Sequence, residues 1–355
     1  LRSESNSPRL FVFALRSLYS ERFQMFGPKS GLRAIAALTL AALAIATPLS
    51  SAQAAPETYP GTVKFLTDKF VDGKVLDGFT PGTPDYGFTL EAMLQRKAAG
   101  QKLSDKLFVP AKAVLADNMT LAKSIVGSYA YGVDKKVKAG VAGKFLFTSV
   151  VIGAPNAPLR NAVVADLKKA IAANGSITTS FGNTFDYAWA VLGLATNNQS
   201  KLANSVATYL ITMQRPDGGF GMDQTGDTLA SSADATGIAL QALSLAKKSA
   251  SKSQVAIQQK SIIAASKYLR TTQIAGNHWD AFGDADVNGT AYAAMGLKAA
   301  GANITAIQGW LKARIAPNGG LTTPWSNGIG DVFATAQGYV PLLGLSYLNL
   351  IPVKK

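Results

Sequence analysis

Two kinds of helical pattern alternate along this sequence. In the first, apolar side chains recur at every fourth residue with polar ones between them, as at Leu159, Val163, Leu167 and Ile171. Such a stripe is typical of a helix that buries one face. In the second, small and apolar residues follow each other on all sides, as in 235–243 (ATGIALQAL), and a helix of this kind must be buried all round. The alternation predicts inner helices enclosed by an outer amphipathic set.

The step from an outer to an inner helix is clearest between residues 209 and 245. The first helix ends at 214–220 (QRPDGGF), because proline cannot continue a helix and paired glycines favour turns. Asp234 stands just before the second helix, where its carboxylate can cap unpaired backbone amides. The stretch therefore predicts a helix, a glycine turn and a second helix with Asp234 as its cap.

This turn recurs in one register: a leucine, a glutamine four residues later and an aromatic residue ten residues later. Leu210 and Leu269 both begin this spacing, and Leu167 and Leu311 begin the same ten-residue step. We expect the aromatic residue to pack against the next inner helix and the glutamine to bond backbone groups. Four turns in one register indicate an internal repeat of about 50 residues.

An aspartate precedes the inner helix of each repeat. The clear cases are Asp186, Asp234, Asp286 and Asp331, and Asp85 and Asp117 fit more loosely. This pattern predicts six inner helices, each preceded by an outer one, in a chain of 355 residues whose 48% hydrophobic content can fill a large core.

The second repeat is the least regular part of the pattern. Its outer helix is predicted over 103–116 and its inner helix over 120–131. The run 140–158 departs from the repeat. Its β-branched and aromatic residues at 145–152 fit a strand-like excursion, although an apolar run does not by itself decide between strand and helix.

The N-terminus has the layout of a secretory signal. Lys29 and Arg33 precede an apolar run over 34–46, and 52–55 (AQAA) offers a cleavage site near Ala54 or Ala55. The sequence therefore predicts a secreted, bacterial protein. It divides into an upstream extension over 1–24, a signal peptide over 25–55, an N-terminal segment with the first outer helix over 56–84, and the helical array over 85–355.

Composition removes several kinds of chemistry. The chain has no cysteine and a single histidine, His278, which excludes disulfides, thiolate nucleophiles and cysteine-ligated zinc. We expect no metal and no cofactor. The formal net charge is +14, and residues 1–55 contribute six basic and two acidic side chains to it. A cell-envelope polymer is a candidate partner, whereas no nucleic acid is expected because no aromatic residues interleave the lysine clusters.

The turn motifs resemble the repeats of the terpenoid cyclase and protein prenyltransferase superfamily. The resemblance rests on Gln214 with Phe220, on Gln273 with Trp279, and on the aspartate-led helices, and it covers roughly 85–350. It implies an all-α fold, an α6/α6 toroid. The phrases 182–186 (GNTFD) and 331–337 (DVFATAQ) are also similar to secreted single-toroid bacterial proteins, which resemble the toroid domain of intrinsic factor and transcobalamin.

The resemblance also suggests where chemistry would lie. Class II cyclases of this superfamily protonate an isoprenoid with an Asp-x-Asp-Asp-Thr motif. The nearest stretch here is 284–290 (DADVNGT), which makes Asp284 and Asp286 the catalytic candidates, although valine replaces the last aspartate. The other interpretation is a loop aspartate followed by a helix cap. The zinc ligands of the prenyltransferases cannot form without cysteine.

Polar and aromatic residues near the starts of inner helices form a second set of candidates. Helix N-termini gathered at one mouth, with apolar walls behind them, can make a ligand site, although the same residues also serve as caps and core. We expect the site to be lined by Asp186, Tyr187, Trp189, Asp234, Tyr292 and Trp325.

The favoured function is binding of a large, partly apolar ligand such as an isoprenoid or a corrinoid in a central cavity, without conventional catalysis. An isoprenoid-processing enzyme that uses Asp284 and Asp286 is the alternative. A cell-wall polysaccharide enzyme is the third possibility, because other toroids host such chemistry.

Overall fold

A computed structural model describes residues 58–71, 73–103, 121–132, 134–153, 158–180, 182–222 and 230–353. All of them belong to the second of two compact units, which spans 55–355. The predicted upstream extension, the signal peptide with its cleavage site, and Asp117 lie outside the described residues. So does nearly all of the outer helix predicted over 103–116.

The described part of the chain is almost entirely helical. Its helices are, in order, α1 Pro60–Asp68, α2 Tyr86–Ala98, α3 Leu121–Ile125 with a π-helical turn Val126–Ala130, α4 Ala139–Val151, α5 Pro158–Ala170, α6 Thr184–Thr196, α7 Ser200–Ile211, α8 Ala233–Ala246, α9 Lys252–Thr272, α10 Val287–Ala299, α11 Thr305–Lys312 and α12 Val332–Leu342. A 3₁₀ turn, Lys247–Ser249, follows α8, and a second, Tyr347–Leu350, follows α12.

Within the described ranges, four very short strands form two hairpins in the outer-to-inner connections. Strands β1 Phe70–Val71 and β2 Val75–Leu76 pair antiparallel before α2, and β3 Asp280–Ala281 pairs with β4 Asp284–Ala285 before α10.

The even-numbered helices close into a ring. Each packs against the next, from α2 to α4, α6, α8, α10 and α12, and α12 packs back against α2. The odd-numbered helices precede them one by one in the chain and lie outside the ring. Side chains of α6, α8 and α10 are buried on nearly every side, as their continuous apolar sequences predict. The α6/α6 toroid is therefore confirmed. Within the described residues, no helix combines the length and the apolar character that crossing a membrane requires.

The second repeat differs from the prediction. Its inner helix is α4, Ala139–Val151, so the strand-like excursion over 145–152 is wrong, and so is the inner helix over 120–131. The segment 121–130 instead has an exposed side with Lys123, Gly127 and Ser128, as an outer helix should. A fully buried helix and a fully buried strand show the same unbroken apolar run, which explains the ambiguity.

A backbone clasp fixes four of the inner helices, α2, α8, α10 and α12, to the turn before each. At α8, the N–H of the N-cap Ser232 donates to the carbonyl of the turn residue Phe220 (2.9 Å), whose own N–H donates to Thr236 Oγ1 (2.9 Å). The threonine stands four residues after the N-cap, and the same clasp is made by Thr89, Thr290 and Thr335. Each clasp satisfies backbone groups that would otherwise be buried without partners.

The roles predicted for the turn motif are confirmed. Phe220 and Trp279 are buried against the ring. Gln214 Nε2 donates to the carbonyls of Gly218 (2.8 Å) and Ser261 (3.0 Å), which joins the turn to the next outer helix. The cap of α8 is Ser232 rather than Asp234, because the helix begins two residues earlier than the sequence predicts.

The ring has two distinct ends. We call the end that carries the outer-to-inner turns and the N-caps of the inner helices the mouth end. The base end carries the described parts of the inner-to-outer connections, 97–103, 152–153, 158–160, 196–201, 246–252 and 299–305, together with the C-terminal residues 343–353. This assignment follows from the antiparallel order of outer and inner helices.

Candidate ligand site at the mouth of the toroid

The repeat brings one residue of each inner helix to the axis of the ring. The inner helices have equivalent N-caps, so the sixth residue after each cap stands at the same level and on the same helical face. The six residues at this level are Glu91, Lys144, Trp189, Ile238, Tyr292 and Gln337. Several contacts between helices that are not chain neighbours confirm that these side chains converge.

A buried ion pair is the centre of this level. The Lys144 ammonium pairs with the Glu91 carboxylate, with side-chain exposures of 13% and 4%. Gln337 Nε2 donates to Glu91 Oε2 at 2.5 Å, and Lys144 Nζ lies 5.2 Å from the centroid of the Trp189 ring. These contacts compensate both charges inside the ring, as buried charges require.

The pKa shifts of this cluster follow from its burial. Burial, the largest single effect, lowers the pKa of Lys144, but the attraction of the Glu91 carboxylate and its hydrogen bond, together with Tyr129 and Asp85, outweigh it and the net direction is upward. Burial and the nearby Glu91 carboxylate raise the pKa of Tyr292 well above its usual range. Lys144 is therefore charged and Tyr292 neutral at physiological pH.

The C-terminal 3₁₀ turn fills the ring from the base end. The Tyr347 ring lies 5.7, 6.2 and 6.4 Å from those of Trp189, Phe147 and Tyr292. Its backbone N–H donates to Gln241 Oε1 at 3.0 Å. From the base end to the level of Glu91, the axis is therefore occupied by packed side chains, and a ligand would enter at the mouth end.

Above the ion pair, half-buried side chains surround the mouth end of the axis, and we call this region the bowl. Phe88 and Phe333 pack together with ring centroids 4.3 Å apart, and Phe185 meets Tyr292 edge to face at 5.5 Å. Asn288 Nδ2 donates to Gln337 Oε1 at 2.6 Å. The bowl thus has an aromatic wall on α2, α6 and α12 and a polar wall on α10.

The aromatic wall continues outward to the rim. Phe79, in the loop before α2, is 72% exposed and its ring centroid lies 4.6 Å from that of Phe333. Trp325, a predicted ligand-binding residue, is also exposed, in the loop before α12. Apolar side chains at an opening that is otherwise rich in carboxylates are typical of a small-molecule site with a few polar contacts.

Two predicted ligand residues lie at the axis itself. Trp189 and Tyr292 are both buried beside the ion pair, so a ligand in the bowl would lie above Tyr292 and reach Trp189 only by displacing side chains.

Tyr187 lies elsewhere. Its ring stacks on Tyr209 of α7 at 4.9 Å, and its hydroxyl accepts the N–H of Ile177 at 3.3 Å. Tyr187 is the fourth residue after the N-cap, where other repeats have the clasp threonine, so its hydroxyl makes the clasp of this repeat.

The two predicted aspartates lie in the first turns of their helices. Asp186 is buried and its Oδ2 accepts a hydrogen bond from Ser180 Oγ at 3.0 Å, while Asn183 is the N-cap of α6. Asp234 is half-buried in the first turn of α8 and its Oδ1 accepts the N–H of Ala235 at 2.8 Å. Asp234 therefore has the more accessible carboxylate of the two.

The predicted catalytic aspartates occupy different environments. Asp284 is exposed on β4. Asp286 is the N-cap of α10, and its oxygens accept the N–H groups of Asn288 (3.0 Å) and Gly289 (2.8 Å). Burial, and then the nearby Asp234 carboxylate, raise the pKa of Asp286 although these two backbone N–H groups oppose the shift. The geometry is that of a helix cap.

We expect Asp286→Asn to leave the free energy of unfolding at neutral pH within about 0.5 kcal/mol of wild type, because asparagine caps as well as aspartate, whereas Asp286→Ala should cost about 1 kcal/mol. Because the pKa of Asp286 is raised in the folded protein, wild type loses stability as the pH rises from the ordinary aspartate pKa through the pKa of Asp286 in the folded state. Urea unfolding over this acidic range should show that slope in wild type and a weaker slope in Asp286→Asn. Equal losses for asparagine and alanine would contradict the cap.

Three central residues were not predicted from the sequence: Glu91, Lys144 and Gln337. A count of six residues from each N-cap finds all of them, but that count requires the caps of α2 and α4 to be known. Among the described residues, no cluster of three or more histidine, aspartate or glutamate side chains is placed to hold a metal ion.

Comparisons with known proteins identify the fold. No family model matches the chain, and no curated protein sequence matches it. Among solved structures, the type II terpene cyclase MstE from Scytonema is similar over 81% of this chain and 97% of its own, at 13% identity and a TM-score of 0.56.

Two further solved structures show the same architecture. Haptocorrin in complex with cobinamide is similar over 82% of this chain and 67% of its own, at 14% identity and a TM-score of 0.52. An unsaturated glucuronyl hydrolase specific for heparin is similar over 83% and 95%, at 13% identity and a TM-score of 0.53. All three proteins are α/α toroids.

Proposed function

We propose that this α/α toroid protein binds a largely apolar small molecule of the isoprenoid class in the bowl at its mouth end, without conventional catalysis. The observation that carries the proposal is the placement of Phe88, Phe185 and Phe333. They are half-buried at the opening, directly above a floor of hydrogen-bonded polar groups. Aromatic walls take up an apolar chain, and Asn288 or Asp234 would bind a polar end group.

Similar toroids support a ligand role. The chain shares its fold with a terpene cyclase and with a protein whose structure holds cobinamide. A corrinoid is therefore the second ligand class to test. The predicted signal sequence supports the further proposal that the protein is exported and meets its ligand outside the cell.

The geometry favours binding over proton-initiated cyclisation. A cyclase acid must be protonated and accessible to the substrate. Asp286 holds two backbone N–H groups as a cap, and Glu91 is ion-paired with Lys144. The isoprenoid-processing alternative rests on the raised pKa of Asp286 and the nearby Asp234. It predicts a cyclised product that Asp286→Asn abolishes. A screen of anionic polysaccharides tests the third possibility, carbohydrate cleavage.

The first experiment is native mass spectrometry of the protein from its own culture medium, followed by extraction and identification of any bound molecule. A co-purified isoprenoid would support the proposal. A co-purified corrinoid would show that the ligand is a corrinoid and not an isoprenoid. An empty protein that also fails to bind geranylgeraniol and farnesol in titrations would contradict it.

Phe333→Ala should weaken isoprenoid binding about 10- to 100-fold, because it removes aromatic area that the ligand would cover. The titration is followed by tryptophan fluorescence or native mass spectrometry. Ile263→Ala is the control, because Ile263 is an exposed apolar residue on the outer helix α9 and its loss should leave the dissociation constant unchanged. Equal affinities of wild type and Phe333→Ala, with both proteins folded, would place the ligand elsewhere.

A further inference from the structure

The described acidic side chains are confined to one end of the toroid, whereas basic side chains occur at both ends. Every described aspartate lies in a mouth-end turn or in the part of a helix next to one, and the one described glutamate, Glu91, lies on the axis. The described base-end connections contain no carboxylate side chain. Six lysines, namely Lys97, Lys102, Lys201, Lys248, Lys252 and Lys298, lie in these connections or in the helical turn next to one, in addition to Lys247 and Arg160.

These lysines are distributed around the ring end. Lys97 and Lys102 follow α2, Lys298 lies at the end of α10, and Lys248 and Lys252 lie between α8 and α9. All six are exposed or half-exposed. All inner-to-outer connections lie at the same end of the ring. The six ammonium groups are therefore spread over that end rather than aligned along a groove.

A tether within the fold brings three of them close together. Asn204 Nδ2 on α7 donates to Ser249 Oγ at 3.2 Å, and Gln258 Nε2 on α9 donates to Asn204 Oδ1 at 2.8 Å. Lys201 at the start of α7 therefore neighbours Lys248 and Lys252. We call these three lysines the base patch.

In its described residues, the base end lacks exposed aromatic groups that could read sugars or bases. Its one described aromatic residue, Tyr347, is fully buried. Recognition of single-stranded nucleic acid uses exposed aromatic platforms, and the exposed aromatics Phe79, Phe282 and Trp325 all lie at the mouth end. Dispersed, flexible lysines without such platforms suit a partner whose negative charges are spread over a plane.

From the excess of lysines and the lack of described carboxylates at this end, we infer that the base end docks on the surface of an anionic phospholipid bilayer. The contact is electrostatic, since the described residues of this end include no exposed aromatic side chain that could insert between the lipids. The mouth end, where aspartates balance the lysines and arginines, gains no comparable attraction, which fixes the orientation. The bowl then faces away from the bilayer, open to the surrounding solution. The inference is independent of what the bowl binds.

Co-sedimentation with vesicles tests the inference. We expect the protein to bind vesicles of phosphatidylglycerol mixed with phosphatidylcholine at about 0.1 M NaCl, and to be released at about 1 M, where the Debye length falls to about 3 Å. Pure phosphatidylcholine vesicles should not bind. The triple variant Lys201→Gln, Lys248→Gln, Lys252→Gln should bind anionic vesicles on the order of 100-fold more weakly.

The matched control removes three positive charges at the other end. Lys64, Lys136 and Lys169 lie in the mouth half, paired with Asp68, Asp134 and Asp166, and their replacement by glutamine should leave vesicle binding within about threefold, since exposed pairs contribute little. Equal weakening by both triple variants would overturn the docking surface in favour of a net-charge effect. Equal binding to neutral and anionic vesicles would overturn it too. Binding to heparin or duplex DNA without binding to vesicles would overturn the bilayer in favour of a linear polyanion.

Discussion

Replacing Lys144 by methionine should lower the free energy of unfolding by about 3–5 kcal/mol, because the Glu91 carboxylate would stay buried without its cation. The Glu91 side chain is 4% exposed, so water cannot replace the ammonium. Gln337 would still donate to Glu91, but an amide compensates a buried carboxylate less than an ammonium does. Urea unfolding at neutral pH measures the loss.

The control for this prediction removes both charges. Glu91→Gln together with Lys144→Met should recover most of the loss, because a neutral pair of similar volume no longer has to be desolvated as ions. If Lys144→Met costs no more than about 1 kcal/mol, the pair behaves like an exposed one and the central ion pair is not formed.

The dependence of stability on pH in the alkaline range gives a second test of the Lys144–Glu91 ion pair. Because the pKa of Lys144 is raised in the folded protein, its contribution to stability is complete below the ordinary lysine pKa of about 10.4 and is lost as pH rises through the folded value. Wild type should therefore lose stability in this alkaline range more steeply than Lys144→Met. Parallel curves would contradict the upward shift.

The architecture was predictable from sequence where the repeat keeps its turn. The four C-terminal inner helices each follow a turn in register, and their burial follows from apolar residues on every side. The second repeat lacks these signals. Its inner helix α4 has Lys138 at the N-cap and Ala142 where other repeats have the clasp threonine. Without cap or clasp, the apolar run fits a buried strand equally well.

The candidate site was only partly predictable, for a different reason. Trp189 and Tyr292 were identified as aromatics on buried helices, and both lie at the axis. Tyr187 has the same sequence context but makes the backbone clasp to Ile177, which only its position relative to Asn183 reveals. Glu91 and Lys144 were missed because charged residues in a helix usually face solvent, and their pairing joins residues 53 positions apart.

Gly237→Ala should lower the free energy of unfolding by about 2–4 kcal/mol, although alanine favours a helix by about 1 kcal/mol over glycine. A Cβ at Gly237 on α8 would overlap the backbone carbonyl of Tyr292 on α10, and one at Gly296 would lie 2.5 Å from the carbonyl oxygen of Gly237. Neither backbone can move aside without opening the ring, because α8 and α10 are both clasped at their mouth ends and packed on both neighbours.

The same close backbone contact at glycines recurs between α4 and α6, where Gly143 faces the carbonyl of Trp189 and Gly193 faces the backbone of Gly143. Gly143→Ala should therefore cost a similar amount.

Gly309→Ala is the matched control: Gly309 is exposed on the outer helix α11, nothing lies within 4 Å of its added Cβ, and the change should stabilise by about 0.5–1 kcal/mol. Thermal and urea unfolding distinguish the cases. Stabilisation by all three alanines would mean that helix propensity dominates and that the inner helices do not meet at their glycines. Opposite signs for inner and outer glycines would show that ring closure depends on backbone contact between neighbouring inner helices.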